Sequence, residues 1–168
     1  MRKMVLSLLV DNTAGVLSRV AGLFSRRGYN IDSLTVGETE KPQFSRMTVM
    51  VSGDDQILEQ IRNQLQKLED VVEIKELEAD DSVCRELVLV KVHATSKERE
   101  AIISVADIFR AKIVDVATES LMIELTGSQV KIDAFIKLLD GFQILEFVRT
   151  GVTGLVRGSG DIADYIGD

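Results

Sequence analysis

Apolar and polar residues follow one clear order along the first half of the chain. A continuous apolar run is typical of a buried strand, apolar–polar alternation of a half-covered strand, and apolar residues three and four apart of a helix. The predicted elements are Met4–Val10 (strand), Ala14–Arg27 (helix), Ile31–Val36 and Phe44–Val51 (strands), a helix carrying Ile57, Ile61, Leu65 and Leu68, and Val71–Leu77 (strand). The pattern therefore predicts the order βαββαβ.

The same order recurs in the second half. The predicted elements there are Leu87–Val92 (strand), a helix carrying Ile102, Val105 and Phe109, Ile113–Ala117 and Leu121–Thr126 (strands), a helix carrying Ile132, Phe135 and Leu139, and Ile144–Val148 (strand). This order is the split βαβ, ferredoxin-like unit. We therefore predict an α/β protein of two tandem α+β sandwiches, one over residues 1–78 and the other over 84–168 with a glycine-rich tail, joined by the acidic linker 79–82.

Each predicted unit is small, and its sheet has helices on one face only. Small cores contribute little stability by themselves. The opposite faces still carry apolar residues such as Met50, Leu87 and Leu89. We therefore expect these faces to be buried, either by the other unit or by a second chain.

Composition narrows the possible partners. The net charge is −7 and the isoelectric point is near 4.8, which disfavours binding to a phosphate backbone. No apolar run approaches the roughly 20 residues of a membrane span. Met1–Lys3 and the apolar run after it lack a signal-peptide pattern, and the single cysteine, Cys84, excludes an intramolecular disulfide. We expect a cytoplasmic protein that binds neither nucleic acid nor a membrane.

Few residues of this chain suit catalysis. The only histidine, His93, lies on a predicted strand, and Cys84 has neither a second cysteine nor a histidine close by in sequence. No metal-ligand spacing occurs, and the tail from Arg149 lacks the lysine that completes a P-loop. In the first and third strands of the first unit, the stretches Met4–Val10 and Ser45–Val51 carry no aromatic residue for stacking RNA bases. These observations predict no catalytic residue and no metal in this chain.

The turn between the first strand and the first helix is the strongest candidate site. Gly15 is costly inside a helix, and its missing side chain would let a ligand approach the backbone N–H groups at the helix start. Asn12 precedes this helix and Asn30 follows it, although Asn12 or Thr13 also suits an ordinary helix cap. The corresponding turn of the second unit, HATSKERE, has neither residue type. The contrast favours a site for a small zwitterion in the first unit.

Several segments together resemble a known family. The stretches LLVDNTAGVLSRVAGLFSRRGYNIDSL, SRMTVMV, RELVLVKV and RTGVTGLVRG closely resemble the small regulatory subunit of acetolactate synthase (acetohydroxyacid synthase, AHAS). The resemblance implies that the first unit is an ACT domain, that two ACT domains form a homodimer, and that a branched-chain amino acid, usually valine, binds between them. The matching ligand positions are Asn12, Gly15 and Asn30, completed by backbone groups of Val16, Leu17 and Ile31.

The resemblance also implies a role without catalysis. Such a subunit activates a separate large catalytic subunit, which holds thiamine diphosphate, Mg²⁺ and usually FAD, and it confers inhibition by the end product. No cofactor is then expected in this chain. Two alternatives stay open at this stage: a free-standing ACT-type amino-acid sensor that regulates another enzyme, and a small hydrolase of the acylphosphatase kind on the same fold.

Overall fold

The structure, a computed structural model, describes residues 1–160 and residue 162. It divides into two compact units. The N-terminal unit comprises Met1–Cys84 and the described residues from Val152 onward, and the C-terminal unit comprises Arg85–Gly151. No helix of the described part is long and apolar enough to cross a membrane.

Both predicted βαββαβ units are confirmed. The N-terminal unit contains β1 (Arg2–Asp11), α1 (Val16–Arg27), β2 (Ile31–Glu38), β3 (Phe44–Gly53), α2 (Asp55–Gln66) and β4 (Val71–Glu76). Its four strands are antiparallel neighbours in the order β2-β3-β1-β4, so β2 and β4 form the two edges.

The second unit repeats this arrangement. Strand β5 (Ser82–His93) begins at the end of the first unit and is followed by α3 (Arg99–Ile108), β6 (Lys112–Val116), β7 (Ser120–Gly127), α4 (Gln129–Leu138) and β8 (Ile144–Arg149). The strand order is β6-β7-β5-β8. A separate apolar core, with Val90, Ile123 and Phe135 fully buried, stabilises this unit.

Alternation along the strands decides which face of the first sheet packs on the helices. Leu6, Leu8 and Val49 belong to a core shared with Phe24 of α1 and Ile61 of α2. The residues between them, such as Ser7 and Thr48, point to the opposite, helix-free face because successive side chains of a strand alternate. The helices therefore cover one face of the sheet.

The glycine-rich segment lies with the N-terminal unit, whereas the sequence suggested a tail of the second domain. Residues Thr153–Val156 form a further strand, β9, which pairs with β5. The N–H of Val152 donates to Ser33 Oγ at 2.7 Å, and Thr35 Oγ1 donates to the Val152 carbonyl at 3.2 Å. These bonds join the segment to β2 of the first sheet. The last part of the predicted tail, 161 and 163–168, lies outside the described residues.

Candidate functional site

The turn between β1 and α1 differs from the expected start of the helix. The helix begins at Val16, two residues later than Ala14, because Gly15 has φ +88° and ψ −8°, a left-handed conformation. Such a conformation disfavours any residue with a side chain, so glycine is needed here for the backbone itself. The Gly15 carbonyl still accepts the first helical bond, from the N–H of Arg19 at 3.0 Å.

Asn12 does not cap the helix, contrary to the sequence-based expectation. Its Nδ2 donates to the Pro42 carbonyl at 2.8 Å and to Glu38 Oε2 at 3.2 Å, while its Oδ1 accepts from Ser45 Oγ at 3.0 Å. Asn12 is thus held by the β2–β3 hairpin. Thr13 does not cap either, since no side chain accepts a bond from the first turn of α1 in the described part of the chain.

The N terminus of α1 is therefore open, unlike those of α2 and α4. Asp54 accepts from the N–H of Ile57 at the start of α2, and Ser128 accepts from the N–H of Lys131 at the start of α4. An uncapped helix start presents backbone N–H donors and a partial positive charge, which together suit a carboxylate.

An exposed apolar side chain stands beside these donors. Leu17 shares helical spacing with Val20 and Phe24, which predicts a buried position, but it is 47% exposed, whereas its neighbour Val16 is only 4% exposed. Val16 anchors the first turn in the core, and Leu17 projects from it. A ligand carboxylate bound at this turn would have an aliphatic surface within reach.

Arg19 and Asp70 border the turn, and sequence reasoning missed both. Arg19 Nε lies 2.5 Å from Asp70 Oδ2 and its second nitrogen lies 3.1 Å from Oδ1, which raises the pKa of Arg19 and lowers that of Asp70. The Arg19 guanidinium also lies over Gly15, where an added Cβ would come within 2.9 Å of it. The spacing of four residues between Gly15 and Arg19, one turn of helix, is the sequence signal that could have indicated this contact.

Asn30 and Ile31 lie at the other end of the sheet. Ile31 pairs with Val51, whereas Glu38, which contacts Asn12, pairs with Ser45. Seven residues of strand separate Ile31 from Glu38, about 23 Å at a rise of about 3.3 Å per residue. Within one chain the structure therefore brings Asn12, Gly15, Val16 and Leu17 together and keeps Asn30 and Ile31 apart from them.

The equivalent turn of the C-terminal unit is filled by its own carboxylate. Glu98 Oε1 accepts from the N–H of Thr95 at 3.3 Å and from its hydroxyl at 3.0 Å, and His93 Nδ1 lies 3.7 Å away. These hydrogen bonds, those of Thr95 foremost, lower the pKa of Glu98. This turn already contains an anion, so it offers a ligand carboxylate less than the open turn of α1 does.

The described residues contain no group of three or more His, Cys, Asp or Glu side chains that could hold a metal ion. What they do provide is an open helix terminus, an amide side chain and a carboxylate at one end of a four-stranded sheet. These groups are suited to hold a small ligand by hydrogen bonds and charge.

Comparison with known proteins identifies the class of these units. Residues 6–73 match the family model of an AHAS small subunit-like ACT domain, so the N-terminal unit is an ACT domain. Residues 85–158 match the family model of the small subunit of acetolactate synthase. The resemblance noted in the sequence is thereby confirmed.

Similar proteins place the whole chain in one family. A probable acetolactate synthase small subunit of Methanothermobacter thermautotrophicus is 53% identical over 156 residues, covering 92% of this chain and 93% of its own. The acetolactate synthase small subunit of Mycolicibacterium smegmatis is 52% identical, covering 91% and 90%. The crystal structure of the acetolactate synthase small subunit from Thermotoga maritima superposes with a TM-score of 0.87 at 43% identity, covering 95% of this chain and all of that one. The chain belongs to the acetolactate synthase small-subunit family.

Proposed function

We propose that this chain binds a branched-chain amino acid, valine in the first instance, at the N terminus of α1, and through it confers feedback inhibition on acetolactate synthase. In this proposal the chain is a non-catalytic cytoplasmic subunit that activates a large catalytic subunit, on which thiamine diphosphate, Mg²⁺ and FAD reside. The observation that carries it is the open first turn of α1 in the ACT unit of a small-subunit chain.

The groups around this turn match the two charges of an amino acid. Its carboxylate accepts bonds from the N–H groups of Val16 and Leu17, where the helix dipole is favourable. Its ammonium donates to Glu38 and to Asn12 Oδ1, which keeps a free lone pair beside the bond from Ser45. The exposed side chain of Leu17 contacts the branched aliphatic part.

Two chains share the pocket in this proposal. In the described sheet, β2 is an edge strand with no strand on its outer side, and Val36 on it is 49% exposed. A two-fold axis that pairs β2 antiparallel with β2 of a second copy places the start of one strand beside the end of the other. Asn30 and Ile31 of one copy then approach Glu38 and Asn12 of the other, and the dimer has two equal sites.

A shared site also explains how binding can regulate. Feedback ligands act at micromolar to millimolar concentrations, which correspond to binding free energies of about −8 to −4 kcal/mol. Inhibition needs the ligand to favour one arrangement of the complex over another, typically by about 1–3 kcal/mol. A ligand held by Asn12 of one chain and Asn30 of another binds differently whenever the two chains change their relative orientation.

Reconstitution with a large catalytic subunit tests the function directly. We expect the wild-type chain to raise synthase activity and valine to lower it again, and we expect Gly15→Asp to keep the activation and lose the inhibition. Valine at one hundred times its Kd should also stabilise the isolated chain by about 2.7 kcal/mol. No thermal shift with millimolar valine, leucine or isoleucine would contradict the amino-acid site, and unchanged synthase activity would contradict the subunit role.

Mixing two defective variants tests whether two chains build the site. Asn12→Ala and Asn30→Ala should each abolish valine inhibition when used alone. When the two variants are unfolded and refolded together in equal amounts, half of the dimers contain one chain of each. Each mixed dimer regains one intact site, so about one quarter of the wild-type sites return. Asn63→Ala, at an exposed position of α2, is the matched control and should remain fully inhibited. A mixture as insensitive as its two components would place the site within one chain.

A further inference from the structure

The helix-free face of the first sheet carries a row of polar residues across all four strands. Thr35, Thr48, Ser7 and Lys75 are successive Cα partners on β2, β3, β1 and β4. Ser7 is fully buried and Thr48 is 1% exposed, and the Thr48 hydroxyl has no hydrogen-bond partner among the described residues. Buried hydroxyl groups in the middle of a sheet face are costly unless they are hydrogen-bonded, so the presence of these polar residues needs a physical explanation.

Two cations meet at this row. Arg46 donates one bond, from a terminal guanidinium nitrogen to Ser7 Oγ at 2.8 Å, which leaves further N–H donors of the guanidinium available. Lys75 lies beside Ser7 on β4. Both side chains are half-buried, and neither forms an ion pair with a carboxylate within the described residues.

A cavity of about 360 Å³ opens above these groups, entirely within the N-terminal unit. Ser7, Arg46 and Lys75 line its floor, together with Glu40 as the one carboxylate among the described residues of its lining. The segment that follows Val152 supplies the opposite wall, with apolar side chains at Leu155, Val156 and Ile162 and bare backbone at Gly158 and Gly160. This volume is within the range of small-molecule sites.

We propose that this cavity binds a small aliphatic carboxylate, held by Arg46 and Lys75, as a second ligand site separate from the N terminus of α1. The guanidinium and the ammonium form charge-assisted bonds to the carboxylate, and the apolar wall covers the aliphatic part. A phosphate or a polycarboxylate suits the cavity less well, because its remaining charges would face Leu155, Val156 and Ile162.

The two sites lie on opposite sides of the same strand. Ser45 of β3 points toward Asn12, and the next residue, Arg46, points into the cavity. A ligand in the cavity therefore leaves the groups around Gly15 accessible, and both sites can be filled at once. The failure of one proposal is then distinguishable from the failure of the other.

Amide NMR of the full-length chain tests the proposal, with 4-methylpentanoate as the probe. We expect saturable shifts at the N–H signals of Gly158 and Gly160, also in the presence of saturating valine. Lys75→Gln should raise the Kd at least about tenfold, since it removes one charge-assisted bond, while Lys112→Gln, the same charge change at an exposed position of β6, should leave the Kd unchanged. Arg46→Gln should act like Lys75→Gln.

Arg46→Gln also removes a bond to buried Ser7, so a second variant guards against misfolding. Gly160→Leu fills the cavity, and its Cβ meets no atom of the described residues within 4 Å and needs no positive φ. It should abolish the shifts in a folded chain.

Leucine, as a further probe, shows whether the carboxylate that binds belongs to an amino acid or to a simple carboxylic acid. Binding tighter than that of 4-methylpentanoate indicates an amino acid whose ammonium group contacts Glu40. Weaker binding indicates a carboxylic acid without an ammonium group. The proposal would be overturned by any of four results: no shifts, shifts confined to Gly15 and Leu17, wild-type affinity in Gly160→Leu, or equally tight binding of inorganic phosphate.

Discussion

Replacing Gly15 by alanine separates two reasons for a glycine at the start of α1. If the backbone requires φ +88°, the alanine is strained by about 1–2 kcal/mol. The lower entropy of its unfolded chain offsets about 0.4–1 kcal/mol, so the net loss is about 1 kcal/mol. Gly22, in the middle of the same helix, is the matched control: Gly22→Ala should stabilise by about 0.5–1 kcal/mol, because alanine is the better helix former.

Flexible side chains limit the steric contribution at both positions. The nearest atoms that an added Cβ would meet belong to the guanidinium of Arg19 at Gly15, at 2.9 Å, and to that of Arg26 at Gly22, at 3.1 Å. Both guanidinium groups are ends of long side chains that can move. The two variants should therefore differ by about 1.5–2 kcal/mol, and the difference reports the backbone conformation.

Tyrosine fluorescence during urea unfolding measures this difference in stability within the N-terminal unit, where both substitutions lie. The chain has no tryptophan and two tyrosines, so in a Tyr165→Phe background only Tyr29 contributes. Tyr29 packs edge-on against Phe24 of α1, with ring centroids 6.3 Å apart, and its fluorescence reports the N-terminal unit. At a slope of about 2 kcal/mol per M urea, the midpoints of Gly15→Ala and Gly22→Ala should lie about 1 M apart.

The reverse result would refute the reasoning. If Gly15→Ala is as stable as the wild type but no longer binds valine, the glycine serves ligand approach alone and the left-handed turn is not required. If it is destabilised as expected and Gly15→Asn is destabilised less, the left-handed conformation is the cause, because asparagine tolerates this region better than alanine does.

Two further predictions concern ion pairs. Arg149 donates to both carboxylate oxygens of Glu86, at 2.9 and 2.6 Å, and to Asp133 at 2.8 Å. Arg149→Met leaves the carboxylate of Glu86, which is only 4% exposed, without its cation, so it should destabilise the C-terminal unit by about 3–5 kcal/mol in urea unfolding. A loss below about 1 kcal/mol would count against a buried ion pair. Asp70 has a lowered pKa in the folded chain, so its bond to Arg19 stabilises above the ordinary value of 3.8 and is lost as the pH falls through the folded pKa. Asp70→Asn should therefore be less stable at pH 7 and show a shallower fall in its unfolding midpoint below pH 3.8; an unchanged acid slope would refute the assignment.

Much of the fold could be predicted from the sequence because each unit is built from regular periodicity. The alternation in Phe44–Val51 and the helical spacing of Val20 and Phe24 correspond to sides that the structure buries. The strand β9 was not predicted. It follows directly after Val152, which bonds to Ser33 and Thr35, more than a hundred residues away in sequence, and local periodicity carries no information about such contacts.

The candidate site was predictable in its residue types but not in its geometry. A glycine and an asparagine before a helix indicate a special turn, yet the sequence does not tell whether Asn12 caps α1 or bonds to the hairpin some 30 residues later. The separation of Asn12 from Asn30 follows from the helix between them. Twelve helical residues span about 18 Å, so two residues at opposite ends of α1 cannot hold one small ligand within a single chain.

The difference between the two units has an energetic consequence for binding. A side-chain cap typically contributes about 1 kcal/mol, and α1 and α3 both lack one, but at the start of α3 the carboxylate of Glu98 accepts two bonds from Thr95. The N-terminal unit thus remains less stable than its architecture permits until an anion binds its first turn. If valine is that anion, its carboxylate restores the missing cap, and part of its binding free energy appears as stability of α1. Amide exchange in the first turns of α1 should therefore slow on valine binding, while exchange in α3 stays unchanged.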